Sequence, residues 1–285
     1  MGSPKAALEW HGSTLLRRVT GLVARAVDGP VIVVRAPGQE LPELDAAIEV
    51  VADAREGRGP VQGLAAGLGA ISDRAPAAYV TSTDVPLLHP AFIRRVLQAL
   101  CSDYDVVLPE IDRHHQPLAA AYRVGLLPAI EALIAADRMK PAFLFERCRV
   151  LRLNADAIRQ DPAVARLDPE LGSVRNLNDP PAYARAHALP APEIRVERLG
   201  AVRSRSEPRG HATVRAWTLG GVAEASGIAL EDHVVAVLNG VQVSCSPELP
   251  LVAGDVVGFT SLRHTQPPSG RPPASARSTA ARGRG

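Results

Sequence analysis

The stretch "AAYVTSTDVPLL" carries an apolar, β-branched run that ends in Ser-Thr-Asp, which places Asp84 at the carboxyl end of a candidate strand. Ligands of open α/β sheets bind at that edge. A carboxylate held there, followed by Pro86 that stiffens the turn, suits a magnesium ion that bridges to a phosphate. The alternative is that Asp84 only caps the helix that follows, and this stretch alone does not decide between the two.

A second candidate binding element lies in "VADAREGRGPVQGLAAGL", where a strand that ends in Asp53 leads into a glycine-rich turn containing Gly63. Glycines leave backbone N–H groups open to approach, so such a turn at the start of a helix can hold a nucleobase edge or a phosphate. Gly-Pro turns are common, and the signal is weak when it is taken alone.

Lys5 is a third candidate, because it follows a small-residue turn and precedes a helical pattern. A lysine in that place can act as a point charge on a triphosphate, although an exposed surface lysine would give the same pattern. The only other lysine of the chain is Lys140.

Two further pairs of polar residues could bind a ligand. Asn176 and Asn178 alternate on an extended segment, so their side chains point the same way. Their amides could complete the ligand shell of a metal or bind an acceptor substrate. The alternative is that they form an Asx turn before a helix. His114 and His115 are adjacent, and adjacent residues of a strand face opposite sides. We therefore interpret the histidines as part of a solvated turn rather than a metal site.

The elements that must position these residues alternate along the chain between short apolar strands and helices. Strands are expected in "GPVIVVRA", "AIEVVAD", "AAYVTSTD" and "YDVVLPE", and helices over residues 13–27 and in "HPAFIRRVLQAL" and "LLPAIEALIAA". This alternation predicts an α/β fold, Rossmann-like, with a mostly parallel sheet and helices on both faces.

The pattern changes near residue 188, which predicts a domain boundary. Residues 1–188 form the first domain, 189–191 a proline-containing linker, and 192–262 a small α+β domain with Asn-Gly and Gly-Asp turns. Residues 263–285 are rich in Pro, Ser, Arg and Gly and are expected to form a disordered tail.

Composition excludes several classes of protein. The 285 residues are 46% hydrophobic with a net charge of only +2, which favours two folded domains and argues against a nucleic-acid binder. Cys101, Cys148 and Cys245 lack zinc-site spacing and indicate free thiols in a reducing compartment. The sequence has no apolar run that would span a membrane and no signal pattern, so a soluble cytoplasmic protein is expected. No G-x-G-x-x-G follows a strand, which disfavours a dinucleotide dehydrogenase.

The ordered set "MGSPKAALEWHGSTLL", "VADAREGRGPVQGL", "TSTDVPLL", "HQPLAAAYR" and "RNLNDPPAY" resembles the molybdenum cofactor guanylyltransferase family over residues 1–188. The resemblance implies a nucleotidyltransferase that moves GMP from GTP to the phosphate of molybdopterin and releases pyrophosphate, with Mg²⁺ as cofactor. A cytidylyltransferase, or a nucleotidyltransferase for a sugar or polyol phosphate, is an alternative within the same superfamily, and a non-catalytic scaffold of the cofactor pathway is another.

The resemblance also implies roles for individual residues. Lys5 matches the lysine that closes the nucleotide loop, and Asp84 matches the magnesium-binding aspartate. Asp53 matches an acidic nucleotide contact, and Gly63 lies in the turn that meets the base.

The paired asparagines of the family, which lie near the acceptor, match Asn176 and Asn178, and Asn178 is a candidate second metal ligand. The family's nucleotide loop, a Leu-Ala-Gly-Gly-x-Ser-x-Arg-Met-Gly run, follows a first strand, whereas this sequence begins within that run. Loss of a central strand would expose two strand edges. We therefore expect that the start codon was assigned too late and that Met1 is the internal methionine of the run, rather than that the site is degenerate.

Residues 192–262 resemble the ThiS and molybdopterin-synthase small-subunit group, a β-grasp fold, through "VVAVLNGVQVSCSPELPLVAGDVVGFTS". Working carriers of that group end in Gly-Gly, whereas this chain ends in "RGRG". The resemblance therefore implies that this domain docks proteins of the molybdenum cofactor pathway rather than transfers sulfur.

Overall fold

The computed structural model describes residues 5–53, 59–198, 211–231 and 233–261. The predictions made for residues 1–4 and for the tail over 263–285 fall outside these ranges. Among the described residues, the structure contains no helix with the length and hydropathy that a membrane crossing requires.

The first unit contains two separate sheets. The smaller one pairs β1 (Val31–Arg35) in parallel with β2 (Ile48–Ala52). The larger one has the order β3-β6-β4-β5, with β7 also paired to β4, and its strands are β3 (Ala77–Thr81), β4 (Val106–Ile111), β5 (His114–His115), β6 (Ala119–Arg123) and β7 (Val150–Asn154).

The larger sheet is mixed, which corrects the expectation of a mostly parallel sheet. β6 runs antiparallel to both β3 and β4, and only β7 lies parallel to β4. The reason is a tight reversal after β4, where Asp112 and Arg113 both adopt positive φ angles of 50° and 63°. This turn returns the chain as a hairpin, whereas a parallel partner would require a crossover helix.

Helices cover both faces of the sheets. Alternate residues of β6 show the two layers: Ala119 and Ala121 belong to one apolar core and Ala120 and Tyr122 to the other, as the period of two in a strand requires. The helices of the first unit are α1 (Leu15–Ala24), α2 (Pro60–Ala70), α3 (Pro90–Gln98), α4 (Leu127–Ala135), α5 (Ala142–Phe145), α6 (Ala155–Arg159), α7 (Pro162–Leu167) and α8 (Pro180–His187).

The α/β fold predicted from the alternating pattern is confirmed, and the expected strands and helices are present. The first helix is shorter than residues 13–27, because Thr14 caps it by accepting a hydrogen bond from the N–H of Arg17. Pro60, Pro90 and Pro180 each occupy the start of a helix, where the missing N–H has no cost.

The second unit is one five-stranded sheet with a short helix. Its order is β11-β10-β12-β8-β9, in which β12 and β8 are parallel and the other neighbours antiparallel. Asn239 and Gly240 form a two-residue turn with φ angles of 51° and 85°, as expected for Asn-Gly. The elements are β8 (Glu193–Arg198), β9 (His211–Arg215), α9 (Leu219–Ala225), β10 (Val234–Leu238), β11 (Val241–Val243) and β12 (Val256–Ser261).

The loop over residues 250–255 packs the second unit against the first. Val252 is 6% exposed and belongs to the core that α1 and α3 build. Asp255 accepts a charged hydrogen bond from Arg25, the residue that follows α1, and another from the N–H of Val252. The two units are therefore joined through buried contacts rather than only through the chain between α8 and β8.

His89 is buried at the same contact. Its Nδ1 accepts the N–H of Ala91, and its Nε2 lies 3.1 Å from the carbonyl oxygen of Ala253. These partners are consistent with a neutral imidazole that carries its proton on Nε2. Burial lowers the pKa of His89 below its usual value, because charging the ring there would cost solvation.

This lowered pKa predicts a loss of stability in mild acid. Folding lowers the pKa of this ring, so the unfolded chain takes up a proton at a higher pH than the folded protein does. The contribution to stability is therefore complete above the unfolded pKa near 6.5 and is lost as the pH falls below it. The free energy of unfolding should decrease between pH 7.5 and pH 5, by up to about 1.4 kcal/mol per pH unit for one histidine. Urea denaturation across this range measures it.

The variant His89→Gln should show a shallower pH dependence than the unmodified chain. His114→Gln is the matched control, because His114 is exposed. A His89→Gln slope as steep as that of the control would contradict the assignment.

Candidate functional site

Asp84 lies just beyond the carboxyl end of β3, in a nearly buried position. Its side chain is 10% exposed, and its Oδ2 lies 2.7 Å from Nζ of Lys5. Its Oδ1 is buried without a hydrogen-bond partner among the described residues. Burying a carboxylate oxygen without a hydrogen-bond partner costs free energy, because the oxygen loses its hydration. A ligand that binds Oδ1 would offset this cost.

The structure rejects the alternative reading of Asp84 as a helix cap. The residue that caps α3 is His89, whose side chain accepts the hydrogen bond from the N–H of Ala91. Asp84 is instead held from the amino-terminal side by Lys5, whose side chain is 37% exposed. Two residues that the sequence singled out separately are therefore in direct contact.

Asn176 and Asn178 lie next to the same loop. They are exposed and flank Leu177, which is 1% exposed and whose N–H donates to the carbonyl oxygen of Asp84 at 2.8 Å. Capping of α8, the alternative role, is performed by Asp179, which accepts from the N–H of Ala182. The asparagine amides therefore face solvent beside the Asp84 loop.

Gly63 corrects the sequence expectation, because it lies inside α2 and not in a turn. The turn residue is Gly59, with φ of 84°, and Pro60 begins the helix. No side chain of the described residues caps this helix, so its first N–H groups are open to an anion. A Cβ at Gly63 would lie 4.0 Å from Cγ1 of Val34, so the glycine faces β1.

Asp53 follows β2, at the carboxyl end of the smaller sheet. Its N–H donates to the carbonyl oxygen of Arg35 at 2.7 Å, and its Oδ1 is buried without a partner among the described residues. Within those residues, the structure shows no hydrogen bond or ion pair between Asp53 and either Lys5 or Asp84. Asp53 is therefore a separate contact point and not part of the Lys5–Asp84 pair.

Two polar residues that the sequence analysis did not single out share this unsatisfied state. The Oγ of Ser82 and the Oε1 of Gln62 are buried without partners in the described part of the chain. Gln62 is 5% exposed. Ser82 lies in "TSTD" and Gln62 in "GPVQGL". Their position in these two motifs is the sequence signal that could have identified them.

His114 and His115 form β5 and are both exposed. Nε2 of His115 lies 3.2 Å from Oε2 of Glu110. The described residues contain no group of three or more His, Cys, Asp or Glu side chains that could hold a metal.

The oxygen donors at this edge fit a hard divalent cation. Mg²⁺ binds through one or two carboxylates and keeps its other positions for water and substrate phosphates. The unpartnered Oδ1 of Asp84 and the exposed amide of Asn178 are donors of that type. The start of α2, which no side chain of the described residues caps, leaves N–H groups that can bind an anion.

Known proteins match the first unit. Residues 1–150 match the family described as a MobA-like NTP transferase domain. The chain is 38% identical over 139 residues to the "Probable molybdenum cofactor guanylyltransferase" of Mycobacterium avium (strain 104), which covers 47% of this chain and 68% of that relative. It is 34% identical over 157 residues to the protein of the same name from Mycobacterium tuberculosis (strain ATCC 25618 / H37Rv), which covers 54% of this chain and 76% of the relative.

A solved structure shares the fold. It is the crystal structure of "Molybdopterin-guanine dinucleotide biosynthesis protein A" from Archaeoglobus fulgidus, with a TM-score of 0.51 and 21% identity. The match covers 65% of this chain and 90% of that one. At this identity the likeness shows the α/β fold alone.

The geometry predicts that Asp84 carries divalent-cation binding. Asp84→Asn keeps the size of the side chain but removes its charge, and we expect at least a tenfold loss of Mn²⁺ affinity, about 1.4 kcal/mol. Titration followed by electron paramagnetic resonance of free Mn²⁺ measures it. Asp156→Asn is the matched control, because the Asp156 side chain is 93% exposed. Equal affinities in the two variants would show that the cation is held elsewhere.

Proposed function

The chain belongs to the MobA-like NTP transferase family, and on that basis we propose that it transfers GMP from GTP to the phosphate of molybdopterin. Two relatives that share 38% and 34% of their aligned residues with it are named as probable molybdenum cofactor guanylyltransferases. The single observation that carries the proposal is the contact between Lys5 and Asp84 at 2.7 Å. It brings a cation and a half-satisfied carboxylate to the sheet edge where α/β proteins bind ligands.

The proposed reaction needs no side-chain nucleophile. An oxygen of the molybdopterin phosphate attacks the α-phosphorus of GTP and forms the new P–O bond. The bond from that phosphorus to the bridging oxygen of the β-phosphate breaks, and its electron pair leaves with pyrophosphate. Transfers of this type depend on positioning and on neutralising charge, and the residues at the site would supply both.

Asp84 and Asn178 would hold the divalent metal on which transferases of this family depend, and we propose Mg²⁺ for this chain. The bound metal would neutralise charge on the triphosphate. Oδ1 of Asp84 would face the metal, because Oδ2 is engaged by Lys5. Lys5 would then offset the charge that develops on the leaving pyrophosphate.

The remaining residues would orient the two substrates. The uncapped start of α2, with Gly63 in its first turn, would receive part of the nucleotide through backbone N–H groups, and Asp53 would contact the nucleotide beside it. Asn176 and Asn178, exposed on the other side of the Asp84 loop, would grip the acceptor. Ser82 and Gln62 would add polar contacts through their unpartnered oxygens.

We propose that the second unit, over residues 192–262, is a β-grasp domain, with 1–188 as the transferase domain and 189–191 as the linker. Its strand order and its parallel central pair of β8 and β12 support this assignment. Its role would be to dock proteins of the molybdenum cofactor pathway, and its burial against α1 keeps it in place.

The proposal predicts that Asp84→Ala abolishes turnover. The protein should release pyrophosphate from GTP and molybdopterin, and Asp84→Ala should reduce the rate more than a hundredfold because the metal is lost. Asp156→Ala should retain the parent rate. Turnover of CTP in place of GTP would move the assignment to the cytidylyl branch, and unchanged turnover by Asp84→Ala would refute the role of Asp84.

Lys5→Met should lower the rate of pyrophosphate release by about tenfold to a hundredfold, because it removes the positive charge that would offset the charge of the leaving group. The chain supplies a matched control in Lys140→Met, the only other lysine, which is exposed. Both variants lose one positive charge. Comparing their steady-state rates of pyrophosphate release at saturating Mg²⁺ therefore separates the effect of a charge at the site from the effect of net charge. Equal rates in the two would contradict a role for Lys5 at the leaving group.

A further inference from the structure

Arg18 of α1 is a buried cation that binds both the second unit and the loop that carries Asp84. Its Nε donates to the carbonyl oxygen of Pro86 at 2.6 Å, and Pro86 lies two residues after Asp84 in the chain. Its Nη1 donates to the carbonyl oxygen of Trp217 at 3.2 Å, and its Nη2 donates to that of Leu251 at 3.3 Å. Of these acceptors, the first unit supplies one and the second unit supplies two.

The shape of the guanidinium group makes these hydrogen bonds depend on one another. The group is planar and rigid, so its donors keep a fixed geometry. Because Arg18 is 1% exposed, water cannot replace an acceptor that moves away, and a lost hydrogen bond would leave a buried donor unsatisfied. The two carbonyl oxygens of the second unit therefore fix the orientation of the guanidinium, and the guanidinium fixes the position of Pro86.

The side chain of Trp217 adds a second contact with the guanidinium. Its ring lies 4.9 Å from the guanidinium carbon of Arg18, which is a cation–π distance. The same ring stacks on that of His11, with centroids 5.0 Å apart and planes 9° apart, and meets the ring of Trp10 edge-on at 5.7 Å. Trp217 of the second unit therefore also contacts the segment that carries Lys5.

The loop that carries Asp84 packs near the same tryptophan. Leu87 of this loop and Trp217 both pack against an apolar cluster that includes Leu177, and the N–H of Leu177 donates to the carbonyl oxygen of Asp84 at 2.8 Å. The backbone of the loop is therefore held by Leu177 at one point and by Arg18 at another.

Arg25 binds the second unit without binding this loop. It follows α1 directly, and its guanidinium donates to the carbonyl oxygen of Pro250 at 2.9 Å and to the carboxylate of Asp255. The hydrogen bonds of its side chain with described residues do not reach residues 84–88. Both arginines therefore join the two units, but of the two only Arg18 joins them to the loop.

We propose that Arg18 is a positioning residue for the loop that carries Asp84, and that the second unit holds Arg18 in place. The second unit then supports the metal site in addition to any docking role. The proposal rests on the proposed function only where it assigns a metal to Asp84. Contacts behind a metal-binding carboxylate fix its orientation, and their removal weakens metal binding by about tenfold to a hundredfold.

The test compares Arg18→Met with Arg25→Met in the full chain. Both variants remove one guanidinium from the contact between the units, but only the first releases the loop. Electron paramagnetic resonance of free Mn²⁺, on protein shown to be folded by circular dichroism, should give a dissociation constant about tenfold higher in Arg18→Met and unchanged in Arg25→Met. A residue that acted on stability alone would lower the melting temperature without changing the dissociation constant of the folded protein.

Hydrogen exchange measures the position of the loop directly. The N–H of Leu177 donates to Asp84, and the N–H of Leu88 closes a turn within the loop. Both amides should exchange about tenfold faster in Arg18→Met and at the parent rate in Arg25→Met. This measurement needs no metal: parent Mn²⁺ affinity in Asp84→Asn would refute the metal site, whereas parent exchange in Arg18→Met would refute the positioning role.

A variant in the second unit decides the test if Arg18→Met does not fold. Trp217→Leu removes the ring that faces Arg18 but keeps the carbonyl oxygen that accepts from it. It should weaken Mn²⁺ binding and speed the exchange of Leu177, although Trp217 itself would not touch the metal. Parent affinity and parent exchange in the folded variants of Arg18 and Trp217, or equal changes in Arg25→Met, would overturn the proposal.

Discussion

The buried guanidinium of Arg18 is the constraint on which the arrangement of the molecule depends. Arg18 is 1% exposed, and its three nitrogens donate to the carbonyl oxygens of Pro86, Trp217 and Leu251. Burial lowers its pKa to about 9, so the group is still charged at neutral pH. A buried charge is costly unless hydrogen bonds compensate for its lost hydration, and three carbonyl oxygens do so here.

The three acceptors of Arg18 come from three separate parts of the chain. Pro86 belongs to the loop that carries Asp84, while Trp217 and Leu251 belong to the second unit, and the Trp217 ring lies 4.9 Å from the guanidinium carbon. Helix α1, which carries Arg18, also lines a cavity between the two sheets of the first unit. One side chain of this helix therefore binds both the loop that carries Asp84 and the second unit.

Four buried polar oxygens lie near the carboxyl ends of the strands of the first unit without a partner among the described residues. Asp53, Gln62, Ser82 and Asp84 each keep a buried oxygen without a partner among the described residues, although a folded protein normally pairs such atoms. Departures of this kind are expected where a ligand completes the hydrogen bonds. The helix α2 also begins at this edge, and no side chain of the described residues caps it, so hydrogen-bond acceptors and donors are both open there.

Local chemistry in the sequence determined most of the elements and the edge on which the site lies. β-branched runs, prolines at helix starts and the Asn239-Gly240 turn act through near neighbours. The local structure that they form can therefore be predicted from residues a few positions apart. The sequence did not predict the reversal at Asp112 or the position of Gly63 inside a helix, because strand partners and helix starts depend on which surfaces become buried. The tertiary structure alone decided that Lys5 meets Asp84, that Leu177 carries the asparagines to the same loop, and that β1 and β3 stand apart. Those contacts join residues far apart in the chain, and their free energy comes from burial and pairing that exist only once the whole chain has folded.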